Sequence, residues 1–463
     1  MKKLLAVLIG LLLSCSFVFV GCHPTTIGDE PTGDLDPNTE VTISFMHMWS
    51  EHATVMESII DDFEEENPNI TVNISITPYN QIEQVLQAAF ISETLPNVYT
   101  FYTHYMNPLV SASDGVMAGS LNNLHGEIID SFIQPDSWEM GYINGNYYSV
   151  PFRATGELVF YNKTIFDQKG WTKPETFEAF EQLMDDIYAD GTYIPLAAGG
   201  KEDQITYLIN AMSLFVSVLD GSVDEPGYKV GRLEPDEDIS DAVAVYEKVR
   251  GWYEQDYFGE GAIGVTKTGA IQQFTSRNAA MVFANVNNLG DITSVMGNDE
   301  IDAFAIPAPE AIADEVKYVY GGYDGLSYSP VASEDEMAAS IMLIRYLVSD
   351  EVQQTLADRT QSIIVNKNAV YHDPTYAAFA EEYQYVGAHA TGIDYMTGDH
   401  SAGNNSIMSS YIAGTSNLTA AQTIQLINDN VYADMQDNLI NDPPVDWYPR
   451  QNPKKDFDRT WLQ

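Results

Sequence analysis

Apolar positions in the first third of the chain switch between two periods. Residues 41–45 alternate as a strand, and a polar-aromatic loop follows over 47–51. Val55, Met56, Ile59, Ile60 and Phe63 share one helical face, so 53–66 is predicted as an amphipathic helix that Asn67-Pro68 stops. Ile70, Val72, Ile74 and Ile76 alternate again. Ile82, Val85, Leu86, Ala89 and Phe90 mark a second helix, and 97–101 a third strand running into Tyr102-Thr103-His104-Tyr105. Strands alternating with helices predict an α/β protein with a mainly parallel, doubly wound sheet.

The stretch 142–163, YINGNYYSVPFRATGELVFYNK, breaks this rhythm. Asn144-Gly145 between apolar runs signals a tight hairpin. A strand is expected to end at Val150-Pro151-Phe152, because Pro151 cannot donate to a sheet ladder. After a short break, 158–161 reads as a second strand. Such a bridge suits a hinge between two lobes, with Arg153, Thr155 and Glu157 at its bend. An ordinary hairpin within one domain has the same pattern.

Beyond it, Phe177, Phe180, Leu183, Met184 and Ile187 form a helical stripe ended by Gly191. Residues 204–219 read as a buried helix and 221–238 as an acidic loop. Helices are predicted at 240–253, 269–276 and 337–348, and along the stripe Ile424, Ile427, Val431, Met435, Leu439. Strands are predicted at 279–284 and 301–306, and 318–329 carries a Gly321-Gly322 turn and Gly325. The tail 441–463 is Pro-rich and irregular.

The first residues belong to no fold. Lys2 and Lys3 precede an apolar run that ends at Gly21-Cys22, the pattern of a secretory signal of the bacterial lipoprotein type. Residues 1–21 are therefore expected to be removed and Cys22 to carry lipid. Cys15, after Leu12-Leu13-Ser14, is a competing site, but cleavage there would leave SFVFVG exposed. Residues 22–40, rich in Pro, Gly, Thr and acids, are expected to be a flexible tether. These are the only two cysteines, so no disulfide or Cys-based metal site is expected in the folded part.

The charge of −46, from 67 acids against 21 bases, excludes nucleic acid as a partner, which needs a basic footprint. The acids are dispersed, as on a solvated surface; a negative cleft for a cationic solute is the alternative. Catalytic signatures are missing. There is no G-x-S-x-G, P-loop or dinucleotide fingerprint, and His47-x4-His52 is not a zinc helix motif. No metal, cofactor or enzymatic activity is expected, although abundant carboxylates leave a glycosidase pair open.

Several segments, in order, resemble the extracellular solute-binding proteins of bacterial ABC importers, in the carbohydrate-binding branch that includes the maltodextrin-binding proteins. They are TISFMHMWSE, FEEENPNITVNI, SETLPNVYTF, NGNYYSVPFRATGELVFYNKTIFDQKGW, FTSRNAAMVFANVN, YGGYDGLSYSP and IRYLVSDEVQQTLA. The resemblance implies a two-lobed, type II periplasmic-binding-protein fold, each lobe a doubly wound sheet, with hinge strands between them. Lobe 1 would hold residues 41–151 and 301–346, and lobe 2 residues 152–300 and 347–463. It further implies a monomer, lipid-anchored outside the cytoplasm, that passes a carbohydrate to ABC permease subunits. A cationic or peptidic solute, and a secreted glycosidase or adhesion lipoprotein, are the alternatives. Asn97, Asn285-Val286-Asn287 and Tyr323-Asp324 depart from the family's usual residues, so they do not carry over a particular sugar.

Sugars present flat apolar faces and a rim of hydroxyls, which call for aromatic platforms and planar polar groups. Loops at strand ends face the crevice of open α/β sheets. That places Trp49 with His47 and Glu51, then Phe101, Tyr102 and His104, then Asn285 and Asn287, then Tyr323 and Asp324, as candidate ligand residues. Trp49 has no strand or helix face of its own, so ligand or the opposite lobe is expected to cover it. Arg153 either pairs with Glu157 as a hinge salt bridge or touches ligand.

Overall fold

In the computed structural model the first alternating run forms strand β1 (Val41–His47), with Val41, Ile43, Phe45 and His47 buried. Helix α1 (Ala53–Glu66) buries the predicted stripe of Met56, Ile59, Ile60 and Phe63. Strand β2 (Ile70–Ile76), helix α2 (Tyr79–Ile91) and strand β3 (Val98–Tyr102) follow. β1 runs parallel to both β2 and β3. The structure describes residues 31–102, 117–131, 138, 141–143, 146–202, 204–220, 239–310, 320–360, 362–383 and 401–437. Cys22 and the leader, His104, Asn144-Gly145, the acidic loop and the tail lie outside them.

Helix α3 (Asn122–Ile128) precedes two short strands, β4 (Tyr142–Ile143) and β5 (Asn146–Tyr147). They pair antiparallel with Ile143 opposite Asn146. Next come β6 (Val150–Asn162), α4 (Lys163–Lys169), α5 (Phe177–Asp190), β7 (Ile194–Ala197) and α6 (Gln204–Asp220). They are followed by α7 (Ser240–Glu254), α8 (Lys267–Thr275), β8 (Ala279–Asn285), α9 (Leu289–Met296) and β9 (Ile301–Phe304). The described chain closes with β10 (Tyr320–Tyr328), α10 (Glu334–Leu347), α11 (Asp350–Thr360), α12 (Pro374–Tyr383), α13 (Ser401–Ile412) and α14 (Ala420–Asp437). Local chemistry sets several ends. The Thr176 hydroxyl caps α5 and Gly191, at φ 69°, terminates it, while Ser333 and Glu336 form a reciprocal capping box on α10. None of the described helices is long and apolar enough to cross a membrane.

The sheet order is β2-β1-β3-β10-β6-β8-β7, with β9 also paired to β6. β7 and β8 are parallel, but β10 is antiparallel to β3 and β6, and β6 is antiparallel to β8 and β9. The sheet is therefore mixed rather than mainly parallel: each end is parallel, and two antiparallel strands cross the middle. β6 is also one continuous strand of 13 residues, not two strands with a break. Pro151 is accommodated because the β6–β10 register shifts beside it: Arg153 faces Asp324, and Pro151 faces Gly325. A bulge is one of the few places where a sheet tolerates proline.

Two apolar clusters lie on this sheet. Ala154, Leu158 and Phe160 of β6 belong to one, and Val159 and Tyr161 to the other. The first takes in β1, β3, α1 and α10, with Val352, Leu356, Ile363 and Phe379, and also Phe274 of α8, Val282 of β8, Ile292 of α9 and Ala303 of β9. α11 lies against α1, and α12 lies against β9. The second cluster holds α5, α6 and α7 with Met408, Tyr411, Ile424 and Ile427. Residues 32–39 are laid against the body: Leu35 packs on the first cluster, Arg345 Nη2 donates to the Thr32 carbonyl, and Asn69 Nδ2 donates to the Thr39 carbonyl at 3.0 Å.

Candidate functional site

At the carboxyl end of β1 the chain turns sharply, and the Trp49 backbone N–H donates to His47 Nδ1 at 3.2 Å. That bond leaves the proton of a neutral His47 on Nε2. The Trp49 indole is 1% exposed. It stacks on Phe152 with ring centroids 4.6 Å apart, and Arg153 Cζ lies 5.2 Å from its centroid. Trp49 Nε1 donates to Asp324 Oδ2 at 2.8 Å, and Arg153 Nε donates to the same oxygen at 2.6 Å. One buried carboxylate oxygen thus joins the first loop to both crossing strands.

This answers one expectation and corrects another. Trp49 is covered by Phe152 and Arg153, which open the expected second lobe, and by Asp324. Arg153 pairs with Asp324, directly opposite on β10, and not with Glu157. The latter lies four residues along the same strand, about 13 Å away at the usual rise, too far for contact.

Glu157 anchors a second polar group where β6 meets β8. It faces Asn285 in register and its side chain accepts from Asn285 and, at 3.4 Å, from Gln204 Nε2. Gln204 is oriented by its other atom: Oε1 accepts from the Gly199 N–H at 2.7 Å. A Cβ on Gly199 would lie 2.6 Å from the Lys267 nitrogen, so glycine lets these segments close up. Burial pushes the Glu157 carboxyl above its ordinary range, an effect that the Lys267 charge and the Asn285 and Gln204 amides only partly offset. Lys267 Nζ sits 5.1 Å from the centroid of Tyr207, and both residues are half-buried.

The other candidates divide. Phe101 and Tyr102 pair in register with Gly325 and Asp324, at the end of β3. Glu51 lies in a single helical turn, Ser50–His52, after Trp49. Asn285 Oδ1 caps the turn after β8 by accepting from the Asn287 N–H at 3.1 Å, and Asn287 is exposed. Tyr323 is a correction: it is 5% exposed within the first apolar cluster, and burial raises its phenol. Successive strand residues face opposite ways, so with Asp324 turned to Trp49, Tyr323 turns to the core. Gln204 and Lys267 were not singled out from sequence. The short strand β7 went unrecognised, and with it the status of Gly199-Gly200 as a strand-end loop.

A mixed sheet with apolar clusters on its two faces, and strand ends and polar side chains gathered where β6 and β10 cross its middle, defines the class as α/β. The chain belongs to the bacterial extracellular solute-binding protein family, which it matches over residues 58–381. It is similar to the multiple sugar-binding protein of Streptococcus mutans, at 30% identity over 163 residues, 35% of this chain and 37% of that protein. The chain thus matches about a third of the length of this curated relative. Its fold is that of RafE from Streptococcus pneumoniae, with TM-score 0.71 at 21% identity over 87% of this chain and 100% of that one. It is also that of MalE from Bdellovibrio bacteriovorus bound to maltotriose, with TM-score 0.62 at 18% identity over 85% and 100%.

Proposed function

We propose that this chain is a lipid-anchored, extracytoplasmic binding protein that captures an oligosaccharide and delivers it to an ABC permease. Family membership over residues 58–381 carries the reading. The sugar-binding name of the Streptococcus mutans relative and the maltotriose in the Bdellovibrio structure support carbohydrate as the ligand class. The protein acts as a monomer and by binding rather than catalysis. The ligand meets the strand ends at Tyr102, Glu157 and Asn285, beside the buried Trp49, Arg153 and Asp324. Closure of the two lobes follows from ligand touching both, since only differential affinity shifts such an equilibrium.

Thermal unfolding with raffinose, maltotriose, spermidine and short peptides tests this. A sugar at 100 times its dissociation constant adds about 2.7 kcal/mol of stability. A rise with spermidine or peptide and none with any sugar would overturn the ligand class. Release of smaller sugars during incubation would overturn the non-catalytic role.

A further inference from the structure

We propose that Glu157 is a specificity-determining residue whose carboxylate accepts hydrogen bonds from neighbouring hydroxyls of the bound sugar. The assignment rests on the carbohydrate-binding reading above and names the group that reads the ligand on the β7–β8 side.

Placement is the first argument. Glu157 is held by the first residue of α6, just beyond the carboxyl end of β7, and by Asn285 at the carboxyl end of β8. Ligands of open α/β sheets gather outside strand carboxyl ends. Glu157 is also the residue at which β6 changes neighbours: it faces Tyr320 of β10 on one side and Asn285 of β8 on the other. A group there stands where the two halves of the sheet meet.

Chemistry is the second argument. Glu157 is 5% exposed, yet its hydrogen-bond partners are neutral amides, and among the described residues no cation contacts it. Burying a carboxylate without a contacting cation is costly. The Lys267 charge offsets that cost only in part, and glutamine would fill the same space without it, so packing alone gives no reason for the acid. An ionised carboxylate offers about four acceptor sites. The two amides leave room for two hydroxyl donors. Gln204 cannot turn its acceptor to a ligand without losing the Gly199 bond, so it serves to aim Glu157.

Isothermal titration of the full chain with raffinose and with maltotriose provides the test, comparing wild type with Glu157→Gln and Glu157→Asp. Both substitutions are expected to weaken the sugar that wild type binds by at least tenfold. The melting temperature of ligand-free Glu157→Gln should stay level or rise. Affinity within twofold of wild type in either folded variant overturns the assignment alone. Wild type that binds neither sugar overturns the carbohydrate reading and the assignment with it.

Discussion

Arg153 and Asp324, 171 residues apart in sequence, face each other across the β6–β10 pair, with Nε 2.6 Å from Oδ2. Their side chains are 8% and 1% exposed. Removing one partner of a buried pair strands the other charge and costs about 3–5 kcal/mol. Asp324→Ala should lose that much in urea unfolding. The double variant Arg153→Met with Asp324→Leu should lose much less than the two single changes added together. Simple additivity would mean that the two charges are not coupled.

Trp49→Ala is expected to cost about 3–5 kcal/mol, the range for truncating a large buried aromatic side chain. Trp49→Phe should cost less, keeping an aromatic ring on Phe152 while losing the bond to Asp324. Unchanged unfolding of the ligand-free alanine variant would show that the indole is not part of the core.

Glu157 sets a pH dependence whose sign follows from its raised carboxyl. The fold disfavours the charged form. The cost is therefore full above the folded-state value and vanishes below the unfolded value, about 4.3. Relative to wild type, Glu157→Gln should be more stable at pH 7, with the gain shrinking toward pH 4. A difference that stays flat from pH 4 to 8 in paired thermal melts would contradict the direction of the shift.

Anchoring is tested by fractionation. With Lys2, Lys3, the apolar run and Gly21 ahead of it, Cys22→Ser should move the protein from the membrane to the soluble fraction. Release by Cys15→Ser and not by Cys22→Ser would move the lipidation site to Cys15.

The dispersed acids predict that affinity for a neutral sugar changes little between low and moderate salt. Charges farther than about 8 Å are largely screened at physiological ionic strength. A steep loss of affinity with added salt, read by titration, would favour a cationic ligand instead.

Elements with a clean period were legible from sequence. The stripe Met56, Ile59, Ile60, Phe63 gave α1 its observed bounds, and the alternation Ile70 to Ile76 gave those of β2. The turn to antiparallel pairing at β10 and β6 was not, because strand direction is set by long-range partners and not by local pattern. At the site, Trp49, Arg153, Asp324 and Asn285 were recognisable as polar or aromatic residues at strand ends. Their partners were not: the Arg153–Asp324 pair depends on register across the sheet, and the grouping of Gln204 with Glu157 depends on a strand too short to announce itself.

β10 lies between β3 and β6, so the middle of the sheet is filled by the last of the described strands to be made. At about 5–20 residues per second, the segment carrying Asp324 leaves the ribosome roughly 10–30 s after Arg153. Until then β3 and β6 both present open edges, and Trp49 and Arg153 lack the carboxylate that joins them. Unpaired edges invite association with other chains. A chain built in this order is slow to complete and easy to keep unfolded. That suits passage through a secretion channel, and it makes overproduction without export a route to aggregation.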